Sequence, residues 1–168
     1  DTLAENLGTY YTTVSIEESV AITKQQIEGL LAKSSKEGEI LFHLSDIAKE
    51  NIQARDRSAR VLAAIAAAWQ AVFTNNGNKT ETTVGYSTLY GDTSGFFAVL
   101  ADLWKYEVYD LGRYINEKNN KELIPEEIFT IIPSAELSDK QSLEKGEGDS
   151  FIYPYHDRLF ASWQDWEE

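Results

Sequence analysis

Glu81 stands three residues after Asn78 within residues 77–95, GNKTETTVGYSTLYGDTSG, and its carboxylate can serve in two ways. The spacing is that of a capping box, in which the acid accepts a backbone N–H at a helix start. A carboxylate beside a nucleotide can also hold Mg2+, a hard cation that prefers oxygen ligands and phosphate neighbours, although on the residues alone the cap is the favoured reading. A second pair lies upstream. Asn51 and Arg55 are four residues apart, so a helix places them on one face. There a guanidinium can contact phosphate and an amide can read a polar group; a solvated polar face is the plain alternative. Lys105 opens a predicted helix and, taken alone, reads as a surface lysine. Ser134 follows a proline and, taken alone, is turn chemistry. Tyr86, Ser87, Thr88 and Leu89 taken alone make a half-buried helix turn.

The elements around these residues must position them. Residues 71–74, AVFT, read as a strand, 75–77 as a tight turn, and a helix should start near Thr80. In an open parallel sheet, ligands dock at that carboxyl edge. Residues 9–16, TYYTTVSI, have the β-branched and aromatic content of another strand. Glu17 and Glu18 suit the first turn of a helix running to about Lys33, before a loop at 34–38. Ser45-Asp46 should cap a long helix to about Gln70, polar at first and almost wholly apolar over 61–69. That switch predicts a helix entering the core from an exposed or ligand-facing end. A further helix should span about 105–116, with Val108, Leu111 and Ile115 on one face, and Pro125 should open a short one. Residues 138–150 are polar and charged enough to predict a mobile loop. Tyr153-Pro154-Tyr155 begins an amphipathic tail ending in Trp163 and Trp166. Strands alternating with helices predict an α/β parallel-sheet arrangement in one domain across 1–168.

Composition narrows the function classes. A chain of 168 residues suffices for one domain with a core and is short for two. No apolar run approaches the ~18 residues of a membrane span, and no leader stands at the start. The expectation is a soluble, cytoplasmic protein without membrane contact. A net charge of −13 argues against general nucleic-acid binding. It also requires local cations to capture any anionic substrate. Absence of cysteine excludes disulfides, thiolate metal sites and a cysteine nucleophile in these residues. Absence of methionine, even at position 1, predicts a processed, excised or partial chain. His43 and His156 are too far apart in sequence for a convincing zinc site. His156-Asp157 has no nucleophile elbow, and GDTSG is neither a Walker loop nor a dinucleotide fingerprint.

Several motifs in a fixed order carry a resemblance. GNKTE followed by GYSTLYGD, the upstream ENIQARDR at 50–57, DLWK at 102–105 and IPSAEL at 132–137 resemble the signature of NAD synthetases. These are ATP-pyrophosphatase-type ligases that amidate nicotinic acid adenine dinucleotide (deamido-NAD). The resemblance implies an adenine-nucleotide-hydrolase-like (Rossmann-like) parallel sheet flanked by helices. It implies that Asn51 and Arg55 contact deamido-NAD, that Tyr86, Ser87, Thr88 and Leu89 line its pocket, and that Glu81 binds it or a metal. Lys105 and Ser134 would contact the phosphates of ATP. Asn76 stands where many relatives have a threonine at the ATP site, an amide in place of a hydroxyl. Implied with these are Mg2+, ATP as substrate, ammonia from glutamine, and a homo-oligomer.

Leu89 occupies a position that is lysine in the ammonia-dependent branch, so TLYGD resembles the glutamine-dependent branch, as does Tyr153-Pro-Tyr-His-Asp157. The family's pyrophosphate loop, SGGxDS, occurs nowhere in the chain. The chain therefore resembles a C-terminal part of the synthetase domain, without that loop and without the glutaminase domain, and is expected to be inactive alone. Two other readings stay open: a non-catalytic nucleotide-binding or dimerisation module, and an ATP-pyrophosphatase ligase acting on a different acid.

Overall fold

A computed structural model of the chain describes residues 1–137, 141 and 146–165. In chain order its elements are α1 (Thr2–Leu7), α2 (Glu17–Ile27), β1 (Leu31–Ser34), β2 (Gly38–Leu41) and α3 (Asp46–Arg55). A π-helical segment (Asp56–Leu62) follows, then α4 (Ala63–Ala68), α5 (Lys79–Val84), α6 (Lys105–Asn119), α7 (Glu127–Thr130) and α8 (Tyr153–Gln164). The chain divides into two compact units. The first comprises Asp1–Thr13, Asn76–Ser87 and Phe97–Glu168, and the second Val14–Asn75 and Thr88–Phe96. No helix among the described residues is long and apolar enough to cross a membrane.

In the second unit, α2 stops at Ile27 instead of reaching Lys33. Gly29 takes a positive φ of 76°, and Leu30 and Phe42 join the backbone ladder of a hairpin (Phe42 N–H to Leu30 O, 2.9 Å). β1 and β2 pair antiparallel, with Leu31 opposite Leu41 and Ser34 opposite Gly38. The loop expected at 34–38 is the turn of this hairpin, where Ser34 Oγ accepts the N–H groups of Lys36 and Glu37. Glu28 closes its open end, taking the Leu44 N–H at 2.9 Å and His43 Nδ1 at 3.0 Å.

The hairpin is the one sheet among the described residues. Strand and helix are both present, but the expected parallel sheet does not appear there. Residues 9–16 and 71–74 are irregular. Their composition supplies strand propensity, but a strand forms only where a neighbour completes its ladder. Instead, Gln70 at φ 52° ends the preceding helix, and Phe73 O accepts a single N–H, from Phe96.

The long helix starts as expected, with Ser45 Oγ accepting the Ala48 N–H, and passes through the π segment into α4. Its burial runs opposite to expectation. Ala54 and Ser58, in the polar half, are 3% and 7% exposed, while Leu62 and Trp69 are 40% and 65% exposed. The half that packs closely needs small residues. A Cβ at Gly91 would lie 3.1 Å from the Ala54 carbonyl carbon, so the turn after Thr88 rests directly on α3. Ser19 of α2 donates to Asp56, which also receives both Arg60 Nε and Arg60 Nη2 at 2.7 Å.

In the first unit, α6 runs one turn beyond the expected end. Val108 and Ile115 are partly covered, but Leu111 is exposed, because the contact face centres on Gly112. A Cβ at that glycine would meet the Phe129 ring at 2.6 Å, so α7 sits on the α6 backbone. α8 begins at Tyr153 with Pro154 in its first turn, where a missing N–H costs nothing. Trp104, 1% exposed, donates its indole N–H to Asp165 at 2.7 Å and lies under the Lys79 ammonium. Of the expected mobile loop, residues 138–140 and 142–145 lie outside the described residues, as does Trp166. Asp149, within the same stretch, is held in place: its N–H reaches Pro133 O at 2.8 Å.

Candidate functional site

The two uses open to the Glu81 carboxylate are both present in the structure, one on each oxygen. Oε2 accepts the Asn78 N–H at 3.0 Å while Asn78 Oδ1 accepts the Glu81 N–H at 3.2 Å, which completes the capping box of α5. Oε1 faces Lys105 Nζ at 3.7 Å, both side chains about one-fifth exposed. Lys105 is the first residue of α6, and its ammonium also lies over the rings of Tyr153 at 5.1 Å and Tyr109 at 5.9 Å. The carboxylate and the two aromatic faces all attract a cation at this position electrostatically.

Asp149 joins Tyr86 and the Ser134 segment to Tyr153, beside this pair. Its Oδ1 accepts the Tyr86 hydroxyl at 3.1 Å and the Ala135 N–H at 3.0 Å, and its Oδ2 accepts the Tyr153 hydroxyl at 2.7 Å. Gln141 Nε2 donates to the Tyr86 oxygen. Burial drives the Tyr153 hydroxyl far above its usual pKa, and the hydrogen bond to Asp149 and that carboxylate's charge push the same way. Tyr109 is raised mainly by burial. Both phenols are therefore neutral at physiological pH, and Tyr153 is a fixed donor to Asp149.

Ser134 lies in the segment that Asp149 holds. Its hydroxyl is engaged in turn chemistry, donating to Gln141 O at 2.6 Å and accepting the Glu136 N–H at 3.2 Å. Asn76 and Ser87 are exposed.

In the second unit, Asn51 and Arg55 share a face of α3 and both grip the segment beginning at Thr88. Asn51 Oδ1 accepts the Thr88 hydroxyl at 2.7 Å, and Arg55 Nε donates to Leu89 O at 3.1 Å. Thr88 is 6% exposed, whereas Leu89 is 69% exposed and Arg55 is exposed. The turn below them is built locally: the Thr88 N–H reaches Asp92 Oδ1 at 2.8 Å, and Thr88 O accepts from Gly91 and Thr93. Leu89 therefore presents its side chain outward above a fixed backbone.

Sequence reasoning missed Asp149, Tyr153, Thr80 and Asp157. Thr80 and Asp157 are both 0% exposed. Asp149 lies in a stretch whose polarity suggests mobility, so composition hid it. Tyr153 and Asp157 were within reach, since Tyr-Pro-Tyr-His-Asp was already a matched motif. Among the described residues no three His, Asp or Glu side chains gather as a metal cage. Glu81 Oε1 offers a single carboxylate oxygen, which suits Mg2+ carried mainly by substrate phosphates and water.

Comparison with known proteins gives a consistent picture. The family model described as NAD synthase matches residues 1–161. The glutamine-dependent NAD(+) synthetase of Thermotoga maritima is 38% identical over 141 residues, 84% of this chain and 23% of that protein. That of Synechocystis is 36% identical over 157 residues, 94% of this chain and 25% of that protein. The chain spans about a quarter of the length of these curated relatives. Among solved structures, a glutamine-dependent NAD+ synthetase from Acinetobacter baumannii in complex with ADP is similar, with a TM-score of 0.65 and 26% identity. That match covers 95% of this chain and 31% of the other. An ammonia-dependent NAD synthetase from Campylobacter jejuni, in complex with nitrate, has a TM-score of 0.55 and 25% identity over 70% of this chain and 44% of the other.

Proposed function

Because this chain belongs to the NAD synthase family, we propose that it is part of the synthetase portion of a glutamine-dependent NAD synthetase. The intact protein transfers AMP from ATP to the nicotinate carboxylate of deamido-NAD, releasing pyrophosphate. Ammonia, derived from glutamine in another domain, then displaces AMP to give NAD. The adenylate turns an unreactive carboxylate into one with a good leaving group.

The observation that carries this reading is the Glu81–Lys105 pair, partly buried and ringed by Tyr109 and Tyr153. A partly buried ammonium at that position suits the charge of phosphates and of departing pyrophosphate. Glu81 Oε1 would hold Mg2+, which when bound neutralises phosphate charge. Asp149 keeps the backbone around Ser134 in place toward ATP, and Asn76 takes the place of a threonine there. The exposed Arg55 and Leu89, with Asn51, Tyr86, Ser87 and Thr88, bind deamido-NAD, the arginine supplying local positive charge in a chain of net charge −13. The intact protein is a cytoplasmic homo-oligomer.

Calorimetry on this chain with MgATP and with deamido-NAD tests the reading, beside an assay of NAD formation from ATP, deamido-NAD and ammonia. The expected result is binding of deamido-NAD without turnover. Silence with deamido-NAD sinks the substrate assignment and favours a ligase for another acid; robust turnover sinks the proposal that other segments are needed. Glu81→Gln separates cap from ligand. A glutamine at that position still completes a capping box and loses only the charge facing Lys105, so stability should fall by about 1 kcal/mol, while the Mg2+ dependence of nucleotide binding should be lost.

A further inference from the structure

α6 starts without a cap of its own. Its N-cap residue is Trp104, whose side chain offers no acceptor, although Glu107 Oε2 reaches back to the Trp104 N–H at 2.8 Å. The next N–H groups still need partners. They find them on other helices. The Lys105 N–H donates to Thr80 Oγ1 of α5 at 3.1 Å, and the Tyr106 N–H donates to Asp157 Oδ2 of α8 at 3.0 Å. The Thr80 hydroxyl then donates to Asp157 Oδ1 at 2.6 Å. Three helices meet on one carboxylate that is 0% exposed.

Burying a carboxylate costs free energy that an apolar side chain would not incur, so packing alone does not account for an acid here. The compensation is specific: both oxygens are engaged, and the charge sits at the positive end of α6. The groups that Asp157 grips each adjoin a candidate site residue. Thr80 is followed by Glu81, and Tyr106 is preceded by Lys105. A small rotation of the first turn of α6 against α5 would open the 3.7 Å separation between Lys105 Nζ and Glu81 Oε1.

We propose that Asp157, acting through Thr80 and the first turn of α6, is the positioning residue that sets the Glu81–Lys105 pair. Its functional meaning rests on the role given to that pair above, whereas the positioning itself can be read without any ligand. Thr80→Val keeps the volume of the side chain and removes the hydroxyl that bridges the helices. Thr80→Ser restores that hydroxyl.

The first readout is the rate of Lys105 acylation by an amine-reactive reagent, relative to exposed Lys36, quantified by peptide mass spectrometry well below the melting midpoint. Thr80→Val should raise the ratio about fivefold, the equivalent of one lost hydrogen bond, and Thr80→Ser should return it to the wild-type value. The second readout is MgATP affinity, which should fall by a similar factor in Thr80→Val and recover in Thr80→Ser. Should Thr80→Val fail to fold, Asp157→Asn takes its place, since an amide oxygen and amide nitrogen cannot both accept. A variant that melts earlier yet labels Lys105 at the wild-type rate overturns the proposal and leaves Asp157 a purely structural group. If the wild-type chain binds no MgATP, as a missing pyrophosphate loop would explain, the labelling ratio decides the positioning alone.

Discussion

The first unit holds its candidate residues through a network of buried polar groups that joins several helices, and the second presents its own on one short turn whose outer side chains are exposed. Around Glu81 and Lys105, the supporting atoms belong to Thr80 and Asp157, both 0% exposed, and to Tyr153, 5% exposed. Around Asn51 and Arg55, the support is one side-chain hydrogen bond to Thr88 and one contact to the Leu89 carbonyl, with the arginine and leucine side chains exposed. Desolvated polar groups are expensive to leave unpaired, so the first arrangement is rigid and sensitive to any change. The second presents a preformed turn whose outward side chains can change with little effect on folding. A phosphate-handling pair gains from fixed geometry, and a substrate-reading surface gains from side chains that face outward.

The largest expected break falls on the first unit. Asp157→Ala strands the Tyr106 N–H and the Thr80 hydroxyl in the interior, which should cost about 3 kcal/mol. Urea unfolding monitored by tryptophan fluorescence measures it; a loss below about 1 kcal/mol would show that water or a rearranged neighbour satisfies both donors.

Tyr153→Phe is smaller and has a pH signature. Removing the hydroxyl that donates to Asp149 should cost about 1–2 kcal/mol at neutral pH. In the wild type this phenol titrates well above its unfolded value of about 10. Its contribution is therefore fully present below pH ~10 and is lost as pH rises beyond that. Melting midpoints from pH 7 to 11 should fall less steeply in Tyr153→Phe than in the wild type. Equal slopes would transfer the alkaline sensitivity to Tyr106 and Tyr109, both also raised by burial.

The smallest stability effect belongs to the second unit. Arg55→Ala removes an exposed side chain and one hydrogen bond to a carbonyl, so stability should change by about 0.5 kcal/mol or less. Deamido-NAD affinity should nevertheless fall about tenfold, from loss of a charged phosphate contact. A large stability loss with unchanged affinity would erase the distinction drawn between the units.

Much of the site was legible in the residues. Ser45 and Asn78 announce caps that form as read, and the Asn51–Arg55 spacing places both side chains on one face of α3 as a period of 3.6 requires. The fold was less legible. TYYTTVSI at 9–16 has the composition of a strand and AVFT at 71–74 reads as another, yet neither forms a strand, because a strand depends on a neighbour distant in sequence to complete its ladder. LLAK at 30–33 continues a helical pattern in sequence but joins a hairpin, where Gly29 breaks the helix and Glu39-Ile40-Leu41 supplies the ladder. Burial along α3 to α4 also ran against hydropathy, since close approach of the 88–92 turn selects Ala54 and Gly91 for their size.

The sequence by itself determined the local terms: the caps at Ser45 and Asn78, the charge of −13, and the ordered motifs that place the chain in its family. Those depend on residues within a turn or two of one another, whose geometry is set by short-range sterics and hydrogen bonding. Only the tertiary structure decided what joins Glu81, Lys105 and the Ser134 segment, because Asp149 and Asp157 act across 14 to 77 residues of chain. A carboxylate's role is set by which donors surround it, and that is a property of the packed interior.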